Sequence, residues 1–451
     1  MMFHHTLVRS GLLLFTLLAG VAQAADLAEV LRQAMDSDPQ LKAARAQMEA
    51  GQEARAQAYA RFLPQVTARY GINRGKTDAR FLGQALDYPD TDISFWSINL
   101  SETLYSHDNY LGLSQAKKKV LQAEARYQQA YQDFLVRVAN AYFAVLNATE
   151  DLRFRQAEEK AIQRQMEQAQ QRFEVGLAAI TDVHEARASH DGARAATILA
   201  ANALDDAWEA LTEITGHGFG KLNKLPDALP LSRPEPADME AWEALALEHS
   251  PDLALVRLQE AVAELDLDRA RAQRLPVLSL TASYGENTNN NYSFFDADRG
   301  LVGPFAFTTT NTSWGVNLSV PLFTGMRISS SVRQAAAGYE AAQQQQDAAR
   351  RQVLRNTRNA WRGYLAMVEE VKARKQALTS ARSALEATQA GFEVGTRTIV
   401  DVLLSQRNLY AAEGSYSRAR HNLILAMVGL KRAAGVLKED DLLALNRLLQ
   451  P

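Results

Sequence analysis

Two periodicities divide the chain. Val66, Ala68, Tyr70 and Ile72 alternate with Gln65, Thr67, Arg69 and Gly71, and Trp96, Ile98 and Leu100 alternate with Ser97, Asn99 and Ser101. The pattern returns as Leu278, Leu280, Ala282 and Tyr284 against Ser279, Thr281 and Ser283, then as Trp314, Val316 and Leu318 against Gly315, Asn317 and Ser319. A period of two predicts strands, here with one apolar and one small, polar face. The Gly/Asn/Asp-rich stretches inside each pair, about 74–90 and 286–310, read as long loops.

Elsewhere the apolar positions step by three and four. One seam runs from Leu113 through Ala116, Val120, Tyr127, Phe134, Val138, Ala141 and Val145 to Leu152, and a second from Val332 through Tyr339, Ala342, Val353, Thr357 and Tyr364 to Val371. Such seams predict coiled-coil packing, and their alanines let neighbouring helices approach closely. From about 107 to 173 there is no proline, and the only glycine is Gly112. That run is long enough for one helix of about 100 Å. Off the seam the residues are mostly Gln, Arg, Glu and Lys, so the helix buries a narrow stripe and keeps wide wet faces.

The chain is a duplication. QRFEVGLAAITDV at 171–183 returns as AGFEVGTRTIVDV at 390–402. Ser37-Asp38-Pro39-Gln40-Leu41 returns as His249-Ser250-Pro251-Asp252-Leu253, and Arg61-Phe62-Leu63-Pro64 as Gln273-Arg274-Leu275-Pro276, at the same offset. The expected organisation is a first repeat over 25–215, with a strand pair about 65–104 and a helical hairpin about 107–215. A Pro/Gly-rich linker follows over 216–238. The second repeat covers 239–436, with a strand pair about 277–323 and a hairpin about 326–436, and leaves a tail over 437–451.

Residues 1–24 read as a secretory signal: Arg9, an apolar run from Gly11 to Gly20, then Ala22-Gln23-Ala24 as the cleavage site. The run is short for a membrane span. The chain of 451 residues has 49 Lys+Arg against 52 Asp+Glu, a net charge of −3, which gives no reason to expect nucleic-acid binding. It has no cysteine, so an exported chain carries neither disulfides nor a lipid anchor. No other stretch predicts a transmembrane helix. A soluble sandwich would show the same strand alternation, but four strands per chain cannot close a barrel, which needs about eight to hold its interior side chains. An open sheet in lipid would leave bare edges. Closure by three chains solves both problems.

Catalytic and metal motifs are missing. His184 and His190 fall on different helix faces, and Gly75-Lys76-Thr77 lacks the upstream glycine of a phosphate loop, having Tyr70 there. Neither an enzyme nor a cofactor is expected.

The segments Val175-Gly176-Leu177-Ala178-Ala179-Ile180-Thr181-Asp182-Val183 and Val394-Gly395-Thr396-Arg397-Thr398-Ile399-Val400-Asp401-Val402 sit in this duplicated frame of strand pairs and proline-free helices. Together they make the chain resemble the TolC family of outer-membrane export ducts, over essentially the whole mature sequence. The resemblance implies a mixed α/β membrane protein, a homotrimer with a twelve-stranded β-barrel in outer-membrane lipid and a periplasmic α-helical barrel, and places the linker in the equatorial region. It implies a passive duct in a Gram-negative outer membrane, serving type I protein secretion, drug efflux or both. Its partners would be a periplasmic adaptor (membrane fusion) protein and an inner-membrane ABC or RND pump.

Residue roles follow from the same resemblance. Val175, Gly176, Leu177, Val394, Gly395 and Thr396 would be hairpin tips that dock the adaptor. Thr181 and Asp182 of one hairpin would link to Phe392 and Arg397 of another and hold the periplasmic mouth closed, while Asp401 would form an acidic constriction. Phe392 stands where the family pattern has tyrosine, and Leu404 where it has a second aspartate, so one hydrogen bond is lost and the acidic ring is thinner. Tyr70, Trp96, Tyr284 and Trp314 would face lipid near the membrane boundaries. The competing reading is an exported coiled-coil scaffold whose strands form a soluble domain.

Overall fold

The computed structural model describes residues 25–450 except 77, 82–83, 87–88, 227–233 and 297. The signal segment 1–24 and the middle of the Pro/Gly-rich linker lie outside the described residues.

Each half opens with a helix pair broken at a capped proline. In the first, α1 (Leu27–Ser37) gives way to α2 (Pro39–Ala60) at Asp38. The Asp38 carboxylate accepts from the amides of Gln40 (2.7 Å) and Leu41 (3.4 Å), and Pro39 fills a position whose N–H would have had no partner. That carboxylate is buried and also takes the guanidinium of Arg137. In the second half α5 (Met239–His249) meets α6 (Pro251–Ala272) at Ser250, whose hydroxyl accepts from the Leu253 amide at 3.4 Å.

The strands are β1 (Gln65–Gly75), a short hairpin of β2 (Ala79–Phe81) and β3 (Gln84–Leu86), β4 (Thr91–Ser106), β5 (Val277–Asp296) and β6 (Gly300–Ser319). They make one antiparallel sheet in the order β1-β4-β5-β6, with β2 and β3 paired apart from it. The central pairing, β4 with β5, joins the two repeats, and β1 and β6 are left as edges.

Both stretches read as loops need correction. Residues 74–90 hold the β2–β3 hairpin, and most of 286–310 is strand, paired out to Asp296 opposite Gly300. The Asn/Thr-rich sequence satisfies its backbone across the ladder, and its polar side chains meet solvent at no cost. Tyr292, Phe294, Phe305 and Phe307 pack ring on ring, with Tyr292 and Phe307 centroids 4.9 Å apart. That cluster holds the far end of the ribbon together.

The helical half consists of α3 (His107–Glu174), α4 (Ile180–Thr215), α7 (Arg327–Glu393), α8 (Ile399–Ala433) and the short α9 (Glu439–Asn446). The second seam is buried at Ala342, Val353, Thr357, Tyr364 and Val371. The first holds at Ala116, Phe134, Val138, Ala141 and Val145, but around the middle of α3 burial spreads beyond a stripe. Leu135, Ala139, Tyr142, Phe143 and Leu146 are buried as well, because Leu27 and Leu31 of α1, Leu211 of α4, Leu222 of the linker and Leu442 of α9 surround that length. A matching core in the second half gathers Trp242, Leu253, Trp361, Tyr364 and Leu430. Among the described residues no helix is long and apolar enough to cross a membrane.

Candidate functional site

The repeated motifs are the turns of the two long helical hairpins. After α3, Gly176 has φ +78°, the Leu177 amide donates to the Arg172 carbonyl (2.8 Å) and the Gly176 amide to that of Phe173 (2.9 Å). After α7, Gly395 has φ +77°, with the Thr396 amide on Gly391 O (2.8 Å) and the Gly395 amide on Phe392 O (3.1 Å). Both are Schellman closures, in which a left-handed residue turns the chain so that two amides satisfy the last carbonyls of the helix. A side chain at either glycine would meet open space, so it is the backbone conformation that calls for glycine. The turns project apolar side chains into solvent: Val175, Leu177 and Val394 are 69%, 71% and 75% exposed.

The helices that restart after these turns differ. α8 begins with a capping box: the Thr398 hydroxyl accepts from the Asp401 amide, while Asp401 Oδ2 accepts from the Thr398 amide and hydroxyl, both at 2.9 Å. These hydrogen bonds, first the backbone one, and then Arg397 nearby hold the Asp401 carboxyl below the usual carboxylate range. Asp401 thus anchors a helix start with one oxygen. α4 has Ala179 at the equivalent position and no side-chain cap, and Asp182 meets Ala179 only through its backbone amide (3.1 Å).

The two hairpins touch near their tips. Ile162 and Ala169 of α3, Ala186 of α4 and Ile399 and Leu403 of α8 form a small core, with Met166 and Phe392 packed against it. The Phe392 ring lies under the guanidinium of Arg172, 4.8 Å from its centroid. Phe392 is therefore half-buried and linked to the first hairpin through its π face. Among the described residues, Asp182 and Arg397 do not pair with each other within one chain. The Arg397 side chain folds over Gly391, where an added Cβ would come within 2.8 Å of Arg397 Cγ. Thr181 is exposed. The sequence reading missed Arg172, Gly391 and Thr398. Thr398-Ile399-Val400-Asp401 carries a visible capping-box signal, whereas the Arg172–Phe392 contact has no local signature. Among the described residues no group of His, Asp and Glu side chains is placed to hold a metal ion.

At the other end of the molecule the register gathers the alternating apolar residues onto one sheet face. Val66 lies beside Leu100, Leu100 beside Ala282 and Ala282 beside Trp314, and Tyr70 lies beside Trp96. The face is open to its surroundings, with Tyr70 72% and Trp314 80% exposed, and Trp96 and Tyr284 meet edge to face at 5.5 Å. From Trp314 to Tyr284 to Trp96 the aromatics advance one same-face position per strand, and Tyr70 stays level with Trp96. Two such advances over three strand spacings correspond to a line inclined at about 43° to the hydrogen-bonding direction, from a rise of about 3.3 Å per residue and a strand spacing of about 4.8 Å. The opposite face is polar: Ser283 Oγ donates to Asn99 Oδ1 (3.0 Å) and Asn317 Nδ2 to Thr281 Oγ1 (3.3 Å).

A model of the outer membrane efflux protein family matches residues 30–217 and 242–436. Outer membrane protein TolC of Vibrio cholerae is 39% identical over 431 residues, 95% of each chain, and that of Escherichia coli is 34% identical over 437 residues, 96% of this chain and 86% of the other. Among solved structures, the outer membrane protein VceC from Vibrio cholerae superposes with a TM-score of 0.72 at 20% identity, covering 91% of this chain and 96% of that one.

Proposed function

The chain belongs to the outer membrane efflux protein family and is an outer-membrane efflux or secretion channel, and from that premise we propose that three copies close one barrel. The carrying observation is the open four-stranded sheet with an apolar outer face, a polar inner face and two bare edges. β6 of one copy pairs with β1 of the next, so every edge is satisfied inside lipid. In that arrangement strands tilted by roughly 35–45° bring the stepped line of Trp314, Tyr284, Trp96 and Tyr70 level, as a belt at one membrane boundary. The exported scaffold considered from the sequence gives way to this channel.

The helical hairpins extend away from the sheet as a tunnel whose mouth is formed by six tips. Val175, Gly176, Leu177, Val394, Gly395 and Thr396 present the surface that a periplasmic adaptor reads, and an inner-membrane ABC or RND pump drives cargo into the duct. The exposed valines and leucine at turns that carry no core support this role. In the closed mouth, Asp182 and Thr181 face Arg397 of a neighbouring subunit, and Asp401 Oδ1 adds charge to the lumen. The experiment is assembly in detergent. Light scattering of the purified mature chain gives the mass of three chains, and a stable monomer with full strand content would overturn the proposal.

A further inference from the structure

Midway along the helices, α3, α7 and α8 and the start of the linker line a half-open cavity of about 580 Å³. Among the described residues five cationic side chains line it, Arg153, Lys224, Lys375, Arg382 and Arg420, against two carboxylates. Glu150 serves both Arg153 (2.6 Å) and Lys224 (3.0 Å), and Glu413 stands 3.7 Å from Arg382, too far for a good hydrogen bond. Lys375 makes no ion pair with any described residue.

Arg420 sets this cavity apart from a surface cluster. It is only 9% exposed, and among the described residues its guanidinium donates only to neutral acceptors, the backbone carbonyls of Leu225 and Pro226. Its Nε has no hydrogen-bond partner among the described residues. A buried cation with an unmade donor, surrounded by more positive than negative charge, is costly unless an anion completes it. The planar guanidinium suits an oxyanion, which accepts two parallel N–H bonds. Tyr416, over whose ring Arg420 lies at 5.6 Å, and Phe154 supply an apolar wall. The volume falls in the range of small-molecule sites, well above that of a single ion.

We infer that this cavity is a binding site for a small multivalent oxyanion, held by Arg420 at its floor and by Lys375 and Arg382 at its rim. Phosphate and carboxylate groups share the chemistry. The occupant bridges α7, α8, α3 and the linker, so binding ties the second helical hairpin to the first.

Calorimetric titration of the detergent-solubilised full-length protein tests this, with inorganic phosphate and citrate as separate probes at fixed ionic strength. Saturable binding of either probe is expected, and which of the two binds more tightly identifies the group. Lys375→Gln and Arg382→Gln, both exposed and harmless to packing, each weaken binding about tenfold, the equivalent of one charge-assisted contact. Arg351→Gln, on α7 outside the cavity, leaves the affinity unchanged. Absence of saturable binding by both probes, or equal binding by wild type and the Lys375→Gln/Arg382→Gln double variant, overturns the proposal.

Discussion

Phe392 cannot donate a hydrogen bond, but beside the small core of Ile162, Ala186, Ile399 and Leu403 its ring also links the two hairpins through Arg172. At 4.8 Å the guanidinium is in cation–π range, and both side chains are partly shielded from solvent. A pair in that setting contributes about 1 kcal/mol, between the exposed and desolvated limits. In the proposed trimer three copies would bias a closed mouth by about 3 kcal/mol, changing the open-to-closed ratio roughly a hundredfold. Arg172→Gln removes the cation and keeps a helix-compatible side chain, so it should raise mean single-channel conductance in planar bilayers. Phe392→Leu should do the same, and the double variant should match the singles, since either change alone abolishes the pair. Phe392→Tyr keeps the ring face and should stay closed. If Arg172→Gln conducts like wild type while Phe392→Leu conducts more, the ring acts by packing on Met166 and its neighbours and the cation is idle. If neither changes conductance, the contact plays no part in closure.

Three further outcomes follow from the same geometry. Arg397→Ser, alone or with Asp182→Ala, should raise conductance and sensitise cells to large antibiotics; Asp401→Asn, which keeps an acceptor for Thr398, should leave the mouth closed and reduce cation selectivity. Conductance raised by Asp401→Asn and not by Arg397→Ser would reverse these roles. Gly176→Val or Gly395→Val should impair export with little effect on assembly, because φ near +78° costs a β-branched residue at least about 1 kcal/mol and reshapes the tip; unchanged export in both would remove the tips from docking. His421 is pushed down to about 4, first by burial and then by Arg420, with Glu150 opposing, and its Nδ1 lies 2.6 Å from Asn147 Oδ1. The unfolded chain binds this proton below about pH 6.5 and the folded chain only near 4, so stability falls as pH drops through that window, by roughly 2 kcal/mol per chain at pH 5. Denaturant melts at pH 7 and 5 should show a smaller difference for His421→Gln, and equal differences would refute the assignment.

The seams, the duplication and the strand faces were legible because each is a local repeat whose period matches its element. Gly176 and Gly395 were legible for the same reason, since a helix stop is written in a few residues. The long β5–β6 ribbon was not, because its Asn- and Thr-rich stretch becomes strand only through the partner strand it pairs with. The full burial of the middle of α3 was also hidden. Leu27, Leu442 and Leu449 come from opposite ends of the chain and cover faces that the seam leaves apparently wet. Arg172 was invisible for a related reason: its partner ring lies in the other repeat, and only the packing of the two hairpins brings them together. Asp401 has a capping role besides, legible in Thr398-Ile399-Val400-Asp401 because a capping box is written in four consecutive residues.

The pairing of β4 with β5 bears on how the protein is made. A chain crossing the inner membrane N-terminus first delivers β1 and β4 to the periplasm well before β5, since all of α3 through α6 lies between them. Until then the ribbon has its apolar face and one complete row of backbone donors and acceptors uncovered, which is a template for adventitious strand addition. A chain truncated anywhere before Val277 would keep that edge and face bare for good, and its expected fate is aggregation, not a half-sized unit of the sheet.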